Sequence, residues 1–354
     1  MRRLSKQKLQ NIVVGAGLLG AGGGGSIQEG LKLVDRILEF DSGIDLALPE
    51  EIEDESRGAV ILGMGSPRAS LHNVRKNSPG YALDLLEQTG GGECSFVIPF
   101  EVGAGNSINP MLAAAQRKIP IVDGDPAGRA VPELHMTLFQ LAGVPITPLV
   151  LTTEDRISAV IRTEKAYDAE RVARAITSEL GGVAAVACSA MLGRTMKRSI
   201  IAGTTSLCEK IGETICEGRS DSGDIARSLC GQHGGYLLGK GKIGSLHNET
   251  RGGFDFGTVV LEGEKPIKVL FQNENMLAVR DGKVITVVPD LICTLGGDGQ
   301  PLTNADLAEG MEVTYLGFPA SAPFRTAEVF VLFREILEAL DFDGPFQPIE
   351  TLMS

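Results

Sequence analysis

The stretch Ala59-Val-Ile-Leu-Gly-Met-Gly-Ser-Pro67 has the form of a short apolar strand that ends in a glycine-rich turn. Two further segments repeat this form: Ser95 to Pro99 leads to Glu101, and Ile119 to Val122 leads to Asp123. Segments with the apolar spacing of helices separate these strands. This alternation predicts an α/β domain with a mostly parallel sheet. Ligands bind such sheets at the carboxyl ends of the strands, where the polar loops of this chain fall.

The rest of the chain completes a prediction of two domains. Helical spacing recurs in Leu4 to Gly20, Ile27 to Leu38, Tyr81 to Gln88, Met111 to Arg117, Pro132 to Leu141, Asp168 to Leu180, Thr195 to Cys216 and Phe330 to Leu340. Short predicted strands are Val183 to Ala187, Gly253 to Leu261, Lys268 to Gln272, Met276 to Val279, Val284 to Val288 and Glu312 to Leu316. We predict an α/β N-terminal domain, residues 1–166, and an α+β C-terminal domain, residues 167–354, β-rich from about 235 to 320.

Composition narrows the class of protein. The 354 residues are 43% hydrophobic and 22% charged, which are ordinary globular values, and the net charge is −12. This acidic balance argues against a nucleic-acid or anionic-membrane binder, which needs a basic surface. The polar start Met1 to Lys8 is unlike a signal peptide, and no run of 18 apolar residues occurs, so we expect a cytoplasmic protein. The six cysteines lack Cys-x-x-Cys spacing and are interpreted as buried, reduced thiols.

The glycine-rich start permits two interpretations. Gly15-Ala-Gly-Leu-Leu-Gly20 matches the dinucleotide-binding fingerprint, and Glu39 lies at the distance of a ribose ligand. The alternative is a helix that runs into the loop Gly22-Gly23-Gly24-Gly25-Ser26, which we favour because Leu4 to Val14 has helical spacing. Consecutive glycines allow backbone N–H groups to approach a ligand closely. We therefore predict that Gly22, Gly23, Gly24, Gly25 and Ser26 bind substrate.

A dense polar cluster follows the second and third strands. It consists of Glu101, Asn106, Asp123, Asp125, Arg129, Glu133 and His135. Neighbouring carboxylates shift each other's pKa and can divide into an acid and a base, and an arginine can hold a carboxylate. We predict catalytic roles for Glu101, Asp123, Asp125, Arg129 and Glu133, and substrate binding by Asn106 and His135. Loop chemistry with an internal salt bridge would explain the same residues, and convergence of these side chains on zinc is a further alternative.

Two more segments supply candidate substrate-binding residues. Ser66 follows the first strand, in the glycine-rich turn. Gln272-Asn273-Glu274-Asn275 lies between two apolar strands, and is either a tight turn or a group of side chains directed into a cleft between the domains. We assign Ser66, Asn273 and Glu274 to substrate binding.

Several of these motifs, in this order, resemble the S-methyl-thiohydantoin desulfurase-like family, which is associated with hydantoinases and oxoprolinases. The resemblance rests on Gly20 to Ser26, Gly63 to Pro67, Glu101 to Asn106, Val122 to Asp125, Gly128 to Glu133, Gly252 to Phe254, Phe271 to Asn275 and Val288 to Ile292. It implies an N-terminal α/β domain and a β-containing C-terminal domain. It also implies hydrolytic removal of a thiol from an S-methylated thiohydantoin, leaving a hydantoin.

The resulting hypothesis is a hydrolase that acts on a small hydantoin-type ring. Water attacks a ring carbon, one of Glu101, Asp123 or Asp125 acts as general base, and Arg129 anchors an acidic substituent. The N–H groups of Gly22 to Gly25 stabilise the developing negative charge. Alternatives are a nucleotide-dependent enzyme using Gly15 to Gly20 and a non-catalytic partner subunit of a hydantoinase-type assembly. The sequence does not identify a cofactor: a divalent metal such as zinc is a candidate, and a nucleotide is disfavoured. We expect a homo-oligomer.

Overall fold

A computed structural model describes residues 1–65, 77–218, 222–263 and 265–354. The strands of the first half are β1 (Arg2–Leu4), β2 (Ile44–Ala47), β3 (Arg57–Gly65), β4 (Phe96–Pro99), β5 (Ile121–Val122), β6 (Gly124–Asp125), β7 (Leu149–Thr152), β8 (Ser158–Ile161), β9 (Val183–Leu192) and β10 (Ile201–Ala202). The second half contains β11 (Tyr236–Arg251), β12 (Phe254–Glu262), β13 (Ile267–Gln272), β14 (Glu274–Arg280), β15 (Lys283–Val287), β16 (Leu291–Gly296), β17 (Pro301–Leu302) and β18 (Glu312–Phe318).

The helices that the described residues form surround these strands. They are α1 (Lys6–Leu19), α2 (Ile27–Ile37), α3 (Ser78–Leu86), α4 (Asn109–Arg117), α5 (Leu138–Leu141), α6 (Ala166–Glu179), α7 (Gly193–Ser199), α8 (Thr204–Glu217), α9 (Ser222–His233), α10 (Ala327–Leu332), α11 (Arg334–Ala339) and α12 (Ile349–Leu352). In the described parts of the chain, none of them combines the length and the apolar character that a membrane crossing requires.

The first sheet has the strand order β1-β2-β5-β4-β3-β9-β7-β8. Its central strands β2, β5, β4 and β3 are parallel, and antiparallel pairs flank them on both sides. The side chains of β3 alternate between two apolar cores: Ala59 and Ile61 enter one, and Val60 and Leu62 enter the other. Burial on both faces explains why this strand is continuously apolar. The predicted α/β class is confirmed, with a mixed sheet that β9 of the second half extends.

The second sheet is antiparallel throughout, in the order β15-β14-β13-β12-β11-β18-β16-β17. This confirms the predicted β-rich second half. Its longest strand, β11, was not predicted, because its residues are mostly polar or glycine and carry no run of apolar letters. The two halves share a core, since Leu291 and Cys293 of β16 pack in the same apolar cluster as residues of α1.

The dinucleotide fingerprint is not a nucleotide site. Gly15 and Gly17 lie inside α1, so the segment lacks the strand–turn–helix geometry that the fingerprint requires. Gly15 instead permits close packing of α1 on α8, since a β-carbon at Gly15 would lie 1.9 Å from the carbonyl oxygen of Cys208. The nucleotide-dependent alternative therefore loses its structural basis.

Two predicted helices were only partly correct. Of Pro132 to Leu141, only Leu138–Leu141 is helical. The N–H of Met136 donates to the carbonyl of Glu133 in a turn, and the N–H of Leu138 donates to the carbonyl of Pro126, so neither makes the i to i−4 bond that a helix starting at Pro132 would need. The segment Thr195 to Cys216 is divided by β10, which pairs with β6.

The cysteines follow the sequence interpretation in part. All six are free thiols, and Cys94, Cys188, Cys208 and Cys293 are buried, whereas Cys216 is exposed. Burial raises the pKa of Cys94 and of Cys188 to about 12, so these thiols are not poised as nucleophiles.

Candidate active site

A cleft of about 580 Å³, including its open mouth, lies at the carboxyl ends of β3 and β4, where the turn between β13 and β14 faces the first sheet. Its polar side chains belong to Glu101, Asn106, Glu133, Arg174, Asn273 and Glu274. The remaining walls consist of Gly24, Gly25, Leu62, Gly63, Met64, Gly65, Phe100, Val131, Pro132 and Leu134. The cleft therefore lies where ligands bind α/β sheets.

Two of the loop glycines form the cleft wall. Gly24 and Gly25 have φ of +74° and +91°, which favours glycine. The carbonyl of Gly24 accepts hydrogen bonds from Gly105 N–H at 2.9 Å and Asn106 N–H at 3.1 Å. Neither Gly24 N–H nor Gly25 N–H donates a hydrogen bond to a described residue.

The other predicted loop residues have structural contacts outside the cleft lining. The Gly22 carbonyl accepts a hydrogen bond from Asn304 N–H at 2.9 Å. Gly23 provides space for the Glu274 carboxylate. The Ser26 hydroxyl caps α2 by accepting the Glu29 N–H at 3.1 Å. These three residues shape the site without lining it.

Glu101 lies at the end of β4 and is 4% exposed. Its Oε1 accepts a hydrogen bond from Asn106 Nδ2 at 2.6 Å, and its Oε2 accepts one from Val131 N–H at 2.8 Å. Burial raises the pKa of Glu101 to about 7, and these two donors and the Arg129 charge oppose that rise. Glu101 is thus a cleft carboxylate that titrates near neutrality.

Glu274 belongs to the second domain and lines the same cleft as Glu101. It is 3% exposed, and its Oε2 has no hydrogen-bond partner among the described residues. Burial and, next, the charge of Glu101 raise the pKa of Glu274 well above its ordinary value. The pair therefore loses its protons stepwise, because two like charges that interact in a buried site cannot both form easily.

The turn that carries Glu274 is formed by the segment whose role the sequence left open. Gln272 pairs with Glu274 across this turn, and Asn273 at its apex has φ of +54°. The Asn273 side chain is held by Asp255 N–H, which donates to its Oδ1 at 2.9 Å. The segment is therefore a tight turn and also a wall of the cleft.

Arg129 lies outside the cleft lining, so its position does not support the predicted role in anchoring substrate. Its guanidinium is fully buried and donates to four backbone carbonyls, those of Ala130, Asn275, Pro289 and Asp290, at 3.0 to 3.1 Å. Its charge nevertheless stabilises the ionised forms of Glu101 and Glu274.

Asp123 and Asp125 also lie outside the cleft lining. Asp123 accepts hydrogen bonds from the N–H and the hydroxyl of Ser206, and so caps α8. Asp125 accepts the N–H groups of Ala127 at 2.8 Å and Gly128 at 2.7 Å, which is turn chemistry. Burial raises the pKa of Asp125 to about 6. Neither carboxylate is placed to act as the general base.

Glu133 and His135 divide between the cleft and its surroundings. Glu133 lines the cleft, and burial, together with Glu170, raises the pKa of Glu133 to about 7. His135 is not part of the lining; its ring packs edge-on against Tyr167, with centroids 5.9 Å apart. Burial lowers the pKa of His135.

Among the described residues, no group of three or more histidines, cysteines and carboxylates could hold a metal ion, so the proposed convergence on zinc is not formed there.

Two predicted binding residues remain. Asn106 lines the cleft, where its Oδ1 accepts Gly63 N–H at 2.8 Å while its Nδ2 holds Glu101. Ser66 lies outside the described residues.

Sequence reasoning missed Arg174, a cation that lines the cleft. Arg174 Nε donates to Glu170 at 2.6 Å, and the guanidinium also donates to the carbonyls of Pro132 and Gly253. The spacing of Glu170 and Arg174 on a helix was a signal of an i, i+4 ion pair that could have been read from the sequence.

These features define a two-domain protein in which an α/β domain and an antiparallel β domain enclose a cleft with paired carboxylates. Residues 7–163 match the S-Me-THD-like N-terminal domain, and residues 164–333 match the S-Me-THD-like C-terminal domain. The chain therefore belongs to the S-Me-THD-like family, which confirms the resemblance of its motifs.

The fold is also found in a crystal structure of a protein from Chromobacterium violaceum. The two structures agree with a TM-score of 0.86 over 99% of this chain and 100% of that chain, at 25% sequence identity. No curated protein matches the chain.

Proposed function

We propose that the protein hydrolyses the carbon–sulfur bond of an S-methyl-thiohydantoin-type ring, with Glu101 as general base and Glu274 as general acid. The observation that carries this proposal is the pair of buried carboxylates that line the same cleft, with the pKa of both raised. Membership in the S-Me-THD-like family supports the class of substrate. A hydrolysis of this kind needs one group that accepts a proton and one that donates a proton near neutral pH.

The surroundings of the two carboxylates support this choice of roles. Glu101 accepts two hydrogen bonds, which favour its charged form, whereas Glu274 Oε2 accepts none from a described residue. The buried charge of Arg129 favours a negative charge on the pair. We therefore expect the proton to reside on Glu274 and the charge on Glu101.

The reaction then balances with water alone. The water oxygen bonds to the ring carbon that carries the sulfur, while Glu101 takes one of its protons. Negative charge moves to the ring nitrogen, where the N–H groups of Gly24 and Gly25 can stabilise it. The carbon–sulfur bond breaks, and methanethiol leaves with the proton of Glu274. The second water proton ends on the ring nitrogen of the hydantoin product, and the proton taken by Glu101 restores Glu274.

The test is thiol release from an S-methyl-thiohydantoin by wild type, Glu101→Gln and Glu274→Gln. We expect each variant to lower kcat/KM by about 10² to 10⁴-fold, because each removes one proton-transfer group. Asp123→Asn is the matched control, since it makes the same change at a buried carboxylate outside the cleft, and it should lose less than about tenfold. Full activity in both cleft variants would refute the pair, and absence of thiol release by the wild type would refute the reaction.

A further inference from the structure

A second cavity, of about 600 Å³ including its open mouth, adjoins the carboxylate cleft where the β11–β12 hairpin meets helix α6. The two cavities share Met64, Gly65 and Arg174. A ligand whose ring occupies the first cavity can therefore extend a substituent past Arg174 into the second. We name this second cavity the annex.

Two arginines give the annex its charge. Arg174 lies over the Phe254 ring, with Cζ 4.0 Å from the centroid, and Arg251 lies over the Phe256 ring at 4.3 Å. Glu170 pairs with Arg174 at 2.6 Å, whereas no ion pair joins Arg251 to a residue that the structure describes. The described lining of the annex contains these two arginines and no carboxylate, which suits an anionic group.

The hairpin tip is built to bring these cations together. Gly252 and Gly253 have φ of +59° and +83°, so β11 reverses tightly directly after Arg251. The Gly253 carbonyl accepts a hydrogen bond from Arg174 at 3.0 Å. A β-carbon at Gly253 would lie 2.9 Å from Cδ of Arg174, so the lack of a side chain permits this approach.

A buried hydroxyl supplies an independent indication of a ligand. Thr177 lines the annex, is 2% exposed, and its Oγ1 has no hydrogen-bond partner among the described residues. Buried hydroxyl groups are normally satisfied. A carboxylate oxygen in the annex would satisfy this one.

We infer that the annex binds a carboxylate on the C5 side chain of the ring substrate, held by Arg174, Arg251 and the Thr177 hydroxyl. The inference rests on the proposed function for the identity of the ring. It places the acid-binding role, which the sequence assigned to Arg129, in the annex. The substrate class is therefore a hydantoin-type ring derived from an acidic amino acid.

The test compares the binding of two ring products, hydantoin-5-acetic acid and hydantoin-5-acetamide, by calorimetry at low salt. The two ligands have nearly the same size and differ in charge. In the wild type we expect the acid to bind at least about tenfold more tightly than the amide, since a charge-assisted arginine–carboxylate contact is strong. Arg251→Gln should reduce this ratio to about twofold or less, and the matched control Arg171→Gln, at an exposed position of the same helix as Arg174, should preserve it.

Thr177→Val gives a second, independent variant. It removes an unpartnered hydroxyl without changing the side-chain shape, so the fold should be as stable as in the wild type while acid binding weakens about threefold or more. Unchanged acid binding in this variant would remove Thr177 from the site.

The outcomes separate the annex from the hydrolase. Equal binding of acid and amide, or a preference that survives in Arg251→Gln, would overturn the annex even if thiol release occurs. Acid-selective binding that depends on Arg251, without any thiol release, would overturn the hydrolase and leave the annex standing. Failure of both ligands to bind would also overturn the annex.

Discussion

The carboxylate of Glu274 lies against the Cα of Gly23, in the space that a side chain at position 23 would need. A β-carbon built on Gly23 would lie 1.9 Å from Oε1 of Glu274 and 2.6 Å from its carboxyl carbon. The backbone of Gly23 does not have a positive φ, so this contact alone requires glycine. The glycine-rich loop therefore determines where the proposed general acid can lie.

Gly23→Ala should displace Glu274 and impair the enzyme. We expect a loss of about 100-fold or more in kcat/KM, because a misplaced proton donor is ineffective. We also expect a destabilisation of about 1–3 kcal/mol from the overpacked contact, measured by urea unfolding. Gly231→Ala is the control, since a β-carbon there would contact nothing within 4 Å, and it should leave activity unchanged.

The double variant Gly23→Ala/Glu274→Ala distinguishes the steric cause from a general weakness of the loop. Removing the Glu274 side chain frees the space for the new β-carbon, so the double variant should be more stable than Gly23→Ala alone. Equal or lower stability would contradict the steric contact as the cause.

Asp123→Asn tests a carboxylate that the sequence placed in the catalytic group. Asp123 caps helix α8 through the N–H and hydroxyl of Ser206, and it does not line the cleft. The amide replacement should cost about 1 kcal/mol of stability, the usual magnitude for a helix cap. Thermal unfolding measures this cost. A loss of activity as large as that of Glu101→Gln, with stability unchanged, would return Asp123 to the catalytic group.

Arg129→Lys tests the role of the buried guanidinium. A lysine has three donors on one atom and cannot reach all four carbonyls that Arg129 binds, so buried carbonyls lose their partners. We expect the free energy of unfolding to fall by about 3 kcal/mol. The ratio of acid to amide ligand binding should remain as in the wild type, because Arg129 does not touch the cleft. Loss of that ratio with normal stability would restore the substrate-anchoring role.

The fold was largely predictable because its periodic signals are local. The helical spacing of residues 4–20 and the apolar run around Ile61 each reflect which residues of that segment are buried. Both elements were assigned correctly. The helix predicted for Pro132 to Leu141 is confined to its last turn because the N–H of Leu138 donates to the carbonyl of Pro126, outside the segment, and the N–H of Met136 closes a turn with Glu133. Such competition depends on the tertiary structure and leaves no periodic signal.

The candidate site was also predictable only in part. The cleft is lined by Glu101, Glu133 and Asn106. The sequence predicted these three as site residues because they lie at the end of a strand or in a loop that follows one. Asp123 and Asp125 follow a strand equally closely, and only the position of Ser206 and the turn at Gly128 show that they are structural. Sequence distance cannot distinguish a carboxylate that faces a cavity from one that caps a neighbouring helix.

The raised pKa of Glu101 predicts a stability that depends on pH. Its pKa is about 7 in the folded protein and about 4.5 in the unfolded chain, so the folded state binds the proton more tightly between these values. The contribution is fully present below about pH 4.5 and is lost as the pH rises to about 7. Glu101→Gln cannot lose a proton, so the fall in its unfolding free energy between these pH values should be smaller than that of the wild type by up to about 3 kcal/mol. Urea unfolding at a series of pH values measures both slopes, with Glu50→Gln as an exposed control that keeps the wild-type slope. Identical slopes for wild type and Glu101→Gln would show that Glu101 is ionised throughout this range, and would remove the basis for its role as a base that titrates near neutrality.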